Sequence, residues 1–298
     1  MICNYIFFEI NMKFTRVFLP CILLITALSS CGQERPDNVI YTSFYPLYYF
    51  TKRIVKDKYD VINLTPAGSE PHDYEPTARE VIGMSEAKAV FINGLSLEPW
   101  SNNMPEMLKD KVHVTTESIT PMKINGVTDP HVWLSLNNAI LQLQSITDTM
   151  KEIDKANSDF YTSNFNEVKA EFEALDQENR EILKNISNPY LVVSHAAFGY
   201  LCRDYNLTQV YVSGLAPDEE PTPKDLENIM EEVREYNVTT IFYEELVSPE
   251  ISKKIAEETG VKTASLNPLE GLTQEEMKTS DYVSVMKDDI QKIKAALQ

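Results

Sequence analysis

The chain has 298 residues, which is enough for one large domain or for two ordinary domains with buried cores. Hydrophobic residues make up 43% of it and charged residues 24%, a globular composition that excludes a disordered chain. The formal net charge of -18 argues against nucleic acid as a partner, because phosphate binding requires clustered lysine and arginine.

The N-terminus has the features of an export signal. Lys13 and Arg16 precede the apolar run VFLPCILLITAL, which is too short for an ordinary membrane-spanning helix. The Leu-Ser-Ser-Cys that follows ends at Cys31 and resembles a bacterial lipobox, in which the cysteine becomes the acylated N-terminus. We therefore predict a signal peptide over residues 1–30, lipidation of Cys31 and a polar tether over residues 31–37. The alternative is an ordinary signal peptide with a chance cysteine.

Strand and helix patterns alternate from residue 38 onward. VIYTSF, YDVINL and AKAVFING are typical of strands, and residues 46–56 are predicted to form a helix after the first of them. Thr77 and Glu80 form a capping box that predicts a helix through residue 87. Such alternation indicates a parallel sheet with helices on both faces. We predict an N-terminal α/β lobe over residues 38–155.

The middle of the chain predicts one long helix. No glycine or proline occurs between residues 137 and 188, and apolar residues recur there at three- and four-residue steps. The apolar stripe consists of Phe165, Val168, Phe172, Leu175, Ile182 and Ile186. A helix of about 28 residues is about 40 Å long, which exceeds what one small domain needs. We predict a rigid linking helix over residues 156–187.

The alternation then resumes. YLVVS, TQVYVSG, TTIFYEE and VKTASL are typical of strands, with helices predicted between them, and YVSVMKDDIQKIKAAL closes the chain as an amphipathic helix. We therefore predict a C-terminal α/β lobe over residues 188–298. The expected fold is two (β/α) lobes with parallel sheets, joined by the long helix, with a site in the cleft between them.

Three of the four histidines share one kind of setting. His72 and His131 lie in loops, each directly after a proline, and His195 ends the first strand of the second lobe. Because ligands collect at the carboxyl ends of parallel strands, all three imidazoles can reach one interlobe cleft. Each alone is a candidate for a packed core histidine, a catalytic base or a metal ligand. The fourth, His113, is expected at the surface.

Three imidazoles and a carboxylate are typical of a zinc site. Carboxylates at strand ends that can complete it are Glu244, Glu245 and Glu270. Three further acidic residues flank two of the histidines and either orient the ligands through hydrogen bonds or are solvated loop charges. They are Asp73, Glu75 and Asp129.

Catalytic motifs are missing from the sequence. It contains no HExxH, no G-x-S-x-G, no P-loop and no EF-hand loop. Ser194 directly precedes His195, and adjacent residues on a strand point to opposite faces, which disfavours a serine–histidine dyad. We therefore expect binding rather than catalysis.

Six segments occur in order across nearly the whole exported chain: SFYPLYYF, GSEPHDYEPT, FINGLSLEPW, DPHVWLS, SHAAFGYL and LNPLEGLT. They resemble the metal-binding lipoproteins that feed ABC transporters, specifically the zinc-type solute-binding proteins of the ZnuA/AdcA kind. The resemblance implies two α/β lobes joined by a rigid helix, with the metal between them and a membrane permease with its ATPase as partners. Carried over residue by residue, it implies the ligands His72, His131, His195 and Glu270.

The resemblance also bears on which metal binds. Manganese-type relatives typically carry Glu at the position of His195, and other members can carry Asp at that of Glu270, so this ligand set favours zinc. The loop before His131 is short and lacks histidine, unlike the metal-collecting loop of many zinc-type members. We expect a monomeric, lipid-anchored, extracytoplasmic receptor that captures Zn²⁺ as its transported ligand. The alternatives are a manganese or iron receptor, a secreted zinc hydrolase and a metal-binding adhesin.

Overall fold

Two four-stranded parallel sheets, each flanked by helices, organise the protein. The computed structural model describes residues 38–218 and 221–298, so the predicted signal peptide, Cys31 and the tether lie outside the described residues. In that described part, no helix combines the length and apolarity that crossing a membrane requires. The prediction of two α/β lobes with parallel sheets and a long helix is confirmed.

The first sheet has the strand order β2-β1-β3-β4. Its elements are β1 (Val39–Thr42), α1 (Tyr45–Val55), β2 (Asp60–Asn63), α2 (Ala78–Glu86), β3 (Ala89–Ile92) and β4 (Val112–Val114). All four residues of β3 are buried, as expected for an inner strand that helices cover on both faces. Helix α2 begins at the predicted capping box, in which the Thr77 hydroxyl accepts from the Glu80 backbone N–H and the Glu80 carboxylate accepts from that of Thr77. Strand β4 was not predicted. His113 lies in it, half-buried and not at the surface as expected, with its ring 5.8 Å from that of Phe91.

A short hairpin follows the first sheet and leads to His131. It pairs β5 (Lys123–Ile124) with β6 (Val127–Thr128) in antiparallel register. Asn125 and Gly126 connect them with φ of 51° and 87°, the left-handed pair that a two-residue hairpin turn requires. Asp129 is the residue after β6. Its backbone N–H donates to the Met122 carbonyl at 2.9 Å and joins the two ends of the hairpin.

Two helices connect the lobes: α3 (Leu136–Ile153) and α4 (Ser158–Leu183). Helix α4 has 26 residues. It begins two residues later and ends four residues earlier than the predicted linking helix. The chain bends before α4 at Asp154, whose carboxylate accepts from the Tyr161 hydroxyl at 2.6 Å.

The second sheet has the order β10-β9-β7-β8. Its elements are β7 (Tyr190–His195), α5 (Gly199–Tyr205), β8 (Thr208–Ser213), α6 (Pro223–Glu235), β9 (Thr240–Tyr243), α7 (Glu250–Thr259), β10 (Lys262–Ser265), α8 (Glu276–Thr279) and α9 (Tyr282–Leu297). One cluster of buried apolar side chains runs from α1 through α3 and α4 to α9 and therefore includes both lobes. Within it, the Phe172 ring of α4 lies 5.9 Å from that of Phe50 in α1 and 5.3 Å from that of Tyr282 in α9.

Candidate metal centre

Four side chains from both lobes converge at the carboxyl ends of the strands. His72 lies in the loop after β2, His131 between β6 and α3, His195 at the end of β7, and Glu270 in the loop after β10. One ligand atom of each lies within 4.8 Å of the others. His131 and His195 are fully buried, Glu270 is 1% exposed, and only His72 is partly exposed. The structure therefore brings together the four side chains predicted as ligands, and Glu270 is the candidate carboxylate that lies beside the histidines.

Five of the six distances between the ligand atoms are close to the edge lengths of a small tetrahedron. The Nε2 atom of His131 lies 3.3 Å from that of His72 and 3.4 Å from that of His195. Oε1 of Glu270 lies 3.5, 3.0 and 3.2 Å from the Nε2 atoms of His72, His131 and His195. Ligands at about 2.0–2.1 Å from a tetrahedral zinc ion stand about 3.3–3.4 Å apart. The four atoms are therefore close enough together to share one zinc ion.

Two buried carboxylates fix the orientation of two of the rings. Asp129 accepts from Nδ1 of His131 at 2.8 Å, and Glu244 accepts from Nδ1 of His195 at 2.6 Å. With Nδ1 protonated in this way, Nε2 carries the lone pair that faces the centre. Glu244 also accepts from the Ser194 hydroxyl, so this serine contacts the carboxylate and not the imidazole.

The other acidic candidates lie elsewhere. Glu244, weighed from the sequence as a ligand, is outside the four-residue cluster because its carboxylate is engaged on the far side of the His195 ring. Glu245, which follows it, is exposed. Asp73 and Glu75 are exposed as well, and within the described residues neither forms a hydrogen bond with a histidine.

The Glu270 loop of the C-terminal lobe is anchored to the N-terminal lobe. Trp133 donates from Nε1 to the Pro268 carbonyl at 2.8 Å, and the backbone N–H of Gly68 donates to the Leu272 carbonyl at 2.9 Å. Leu269 has a φ of 60°, a left-handed conformation that is strained for a branched side chain. The side-chain carbonyl of Asn267 accepts from the Leu269 N–H at 2.8 Å and stabilises this turn. The carboxylate of Glu270 is thereby held at a fixed position.

A second network holds the backbone that leads to His131. The Asn93 side chain donates to the Pro130 carbonyl at 2.9 Å. The buried carboxylate of Glu98 accepts from the Asn93 backbone at 2.7 Å and from the Ser43 hydroxyl at 2.6 Å. The segments SFYPLYYF and FINGLSLEPW therefore help to position a third family-like segment, DPHVWLS, which contains His131. The residue types alone did not indicate this role.

The metal-free centre shifts the pKa values of two of its histidines and of Glu270. Burial disfavours protonation of His195, but the charges of Glu244 and Glu270 outweigh it and raise its pKa well above the ordinary value. For His131, burial is likewise outweighed, here by hydrogen bonds with Asp129 and Glu270, and its pKa is raised. Burial opposes ionisation of Glu270, yet the three histidines lower its pKa well below the usual range.

Glu70 is an acidic neighbour that the sequence analysis did not single out. Burial and the nearby charge of Glu270 raise the pKa of Glu70 to about 9. Its carboxylate accepts from the backbone N–H of His72 at 3.4 Å. It also lines a narrow cleft together with Glu244 and Glu270. In the sequence, only its position two residues before His72 indicates that Glu70 lies near the metal centre.

The family of the chain follows from its match to a family model. Residues 40–296 match the model described as the periplasmic component A of the zinc-uptake complex, ZnuA. The chain belongs to the ZnuA family. Among curated relatives of this family, it is 32% identical to the high-affinity zinc uptake system protein ZnuA of Bacillus subtilis, over 94% of this chain and 96% of that protein. It spans only 55–58% of the length of the streptococcal AdcA proteins that it also matches.

Solved structures of ZnuA-like proteins share the fold. The Zn(II)-bound ZnuA-like domain of Streptococcus pneumoniae AdcA is 34% identical, with a TM-score of 0.78 over 87% of this chain and 98% of that domain. The laminin-binding protein Lmb of Streptococcus agalactiae is 30% identical, with a TM-score of 0.81 over 88% of this chain and all of that one. That protein is described as bifunctional, with adhesin and metal-transporting activity.

Proposed function

We propose that this ZnuA-family protein is the extracytoplasmic receptor of a zinc ABC importer, which captures Zn²⁺ and delivers it to a membrane permease driven by an ATPase. The observation that carries the proposal is the convergence of three Nε2 atoms and one carboxylate oxygen in a buried cleft. The family assignment supports it, because the family is described as a component of a zinc-uptake complex.

The ligand set favours binding over catalysis. Four protein ligands fill a tetrahedral coordination shell and leave no position for the activated water that a zinc hydrolase needs. The description of the family as an uptake component agrees with the expectation that the protein is not an enzyme. Zinc is therefore cargo in this centre.

Binding requires the imidazoles to be neutral. Asp129 and Glu244 each accept a hydrogen bond from an Nδ1–H, which leaves Nε2 to bind the ion. The raised pKa values of His131 and His195 favour their protonation in the metal-free centre, so zinc binding is coupled to proton release. Acidification then promotes release.

The decisive experiment compares metals on the purified exported chain. We expect one equivalent of zinc per chain by mass spectrometry and, in side-by-side titrations, tighter binding of Zn²⁺ than of Mn²⁺. A chain that binds manganese more tightly, or that binds no zinc, would refute the proposal. A deletion strain that grows as well as its parent when zinc is scarce would refute the transport role.

The proposal extends to the N-terminus and to the assembly state. Residues 1–30 are a signal peptide, Cys31 carries the lipid, and residues 31–37 tether a monomer. Its lobes span residues 38–155 and 188–298, and the linking helix α4 lies within residues 156–187. Metabolic labelling with a fatty acid is expected to mark the wild type and not a Cys31→Ala variant. Light scattering of the unlipidated protein is expected to give the mass of a single chain.

A laminin-binding activity is a second candidate, and the similarity to Lmb is the observation that favours it. Immobilised laminin is the probe, and the zinc-loaded chain is compared with the metal-free chain. Saturable binding would establish the activity, and retention no greater than on albumin would exclude it.

A further inference from the structure

Gly199, the first residue of α5, lies directly against the carboxylate that orients His131. A Cβ atom at this position would be 2.9 Å from Oδ2 of Asp129, a separation that real side chains essentially never show. The backbone itself does not require glycine, because the φ of Gly199 is outside the left-handed region. Alanine is also the better helix former. The neighbouring carboxylate is therefore what excludes a side chain here.

Asp129 has no room to retreat from such a contact. Its Oδ1 accepts from both the backbone N–H and Nδ1 of His131, at 2.9 and 2.8 Å. Its backbone carbonyl accepts from the Tyr200 hydroxyl at 2.9 Å, and that hydroxyl in turn accepts from the Met122 N–H at 2.8 Å. Because the two oxygens of a carboxylate move together, any displacement of Oδ2 by a side chain at residue 199 also moves Oδ1 away from His131.

The space beside Gly199 is polar and closed. Oδ2 of Asp129 is buried and has no hydrogen-bond partner among the described residues. The next nearest side-chain atoms to the missing Cβ are Nε2 of Gln209 and Cε of Met122, both at 3.9 Å. A new methyl group would therefore meet the carboxylate first.

We propose that Gly199 is a positioning residue of the metal centre: its missing side chain leaves the space that Asp129 occupies when it holds His131. The start of α5 in the C-terminal lobe thereby influences the orientation of His131, which follows the β5–β6 hairpin. The inference rests on the proposed function, since zinc affinity is its readout.

The test is a double-mutant cycle with Gly199→Ala and Asp129→Ala. Loss of a residue that orients a metal ligand typically lowers affinity about 10- to 100-fold, and we expect a loss in this range for each single variant. In the double variant the alanine at 199 no longer meets a carboxylate, so its zinc affinity is expected to equal that of Asp129→Ala alone. A merely structural role for Gly199 would instead add a second loss.

Cobalt absorption provides an independent readout. Co²⁺ loaded into Gly199→Ala is expected to show a visible spectrum that differs from wild type, and adding Gly199→Ala to Asp129→Ala is expected to change nothing further. Should Gly199→Ala fail to fold, the double variant is expected to fold and to bind like Asp129→Ala. Wild-type affinity in Gly199→Ala, additive losses or an unfolded double variant would each overturn the inference. A wild-type chain that binds no zinc would instead refute the proposed function.

Discussion

Replacing His195 with alanine removes one of the four side chains of the centre and leaves its neighbours in place. The imidazole is fully buried, and its Nε2 lies 3.4 Å from that of His131 and 3.2 Å from Oε1 of Glu270. Four-ligand structural zinc sites bind with about 10–16 kcal/mol, so one ligand contributes about 3 kcal/mol on average. Since about 1.4 kcal/mol corresponds to a factor of ten, we expect zinc affinity to fall at least about 100-fold.

The assay is competition with a chromophoric chelator at one pH and one ionic strength. His113→Ala is the matched control, because His113 is a half-buried histidine of β4 that lies outside the four-residue cluster. We expect His113→Ala to bind zinc like the wild type. The reasoning would be refuted by unchanged affinity in His195→Ala, or by an equal loss in both variants.

Three further predictions concern the orienting carboxylate, the protons and the core. Glu244→Gln is expected to lower zinc affinity about 10- to 100-fold in the same competition assay, because the hydrogen bond with Nδ1 of His195 loses its charge; equal affinity would contradict this. The pKa values of His131 and His195 are raised above the ordinary histidine value of about 6.5, so both rings take up protons at a higher pH than a free histidine. Zinc affinity measured across pH is therefore expected to fall already as the pH drops through neutrality. A loss of affinity confined to lower pH would contradict this. Phe172→Ala is expected to lower the free energy of unfolding in urea by about 3–5 kcal/mol, and a change below about 1 kcal/mol would show that its ring packing is loose.

The strands and the histidines could be predicted because their signals are local. β7 and the helix that begins after Thr77 follow from apolar runs and a capping box, each contained within a few residues. Ligands bind at the carboxyl ends of parallel strands, and this rule predicted that His72, His131 and His195 reach one cleft.

The remaining features depend on contacts between distant segments or on elements too short for a pattern. The strands of the hairpin have two residues each, which is too short for a strand pattern in the sequence. Its turn, Asn125–Gly126, is nevertheless a recognisable hairpin signal. A strand-end position could not show that Glu244 faces Nδ1 of His195 and not the centre, because that depends on how β9 lies beside β7. The contact between Gly199 and Asp129 joins residues 70 positions apart and leaves no local trace.

The apolar cluster that runs through both lobes has a thermodynamic consequence. Phe172 packs against Phe50 of one lobe and Tyr282 of the other, so neither lobe can lose its structure without exposing part of the core of its neighbour. The two sheets are therefore expected to melt in a single cooperative transition, with calorimetric and van't Hoff enthalpies in agreement. An ion held in the cleft would then protect both lobes against heat and proteolysis, far beyond the loops that touch it.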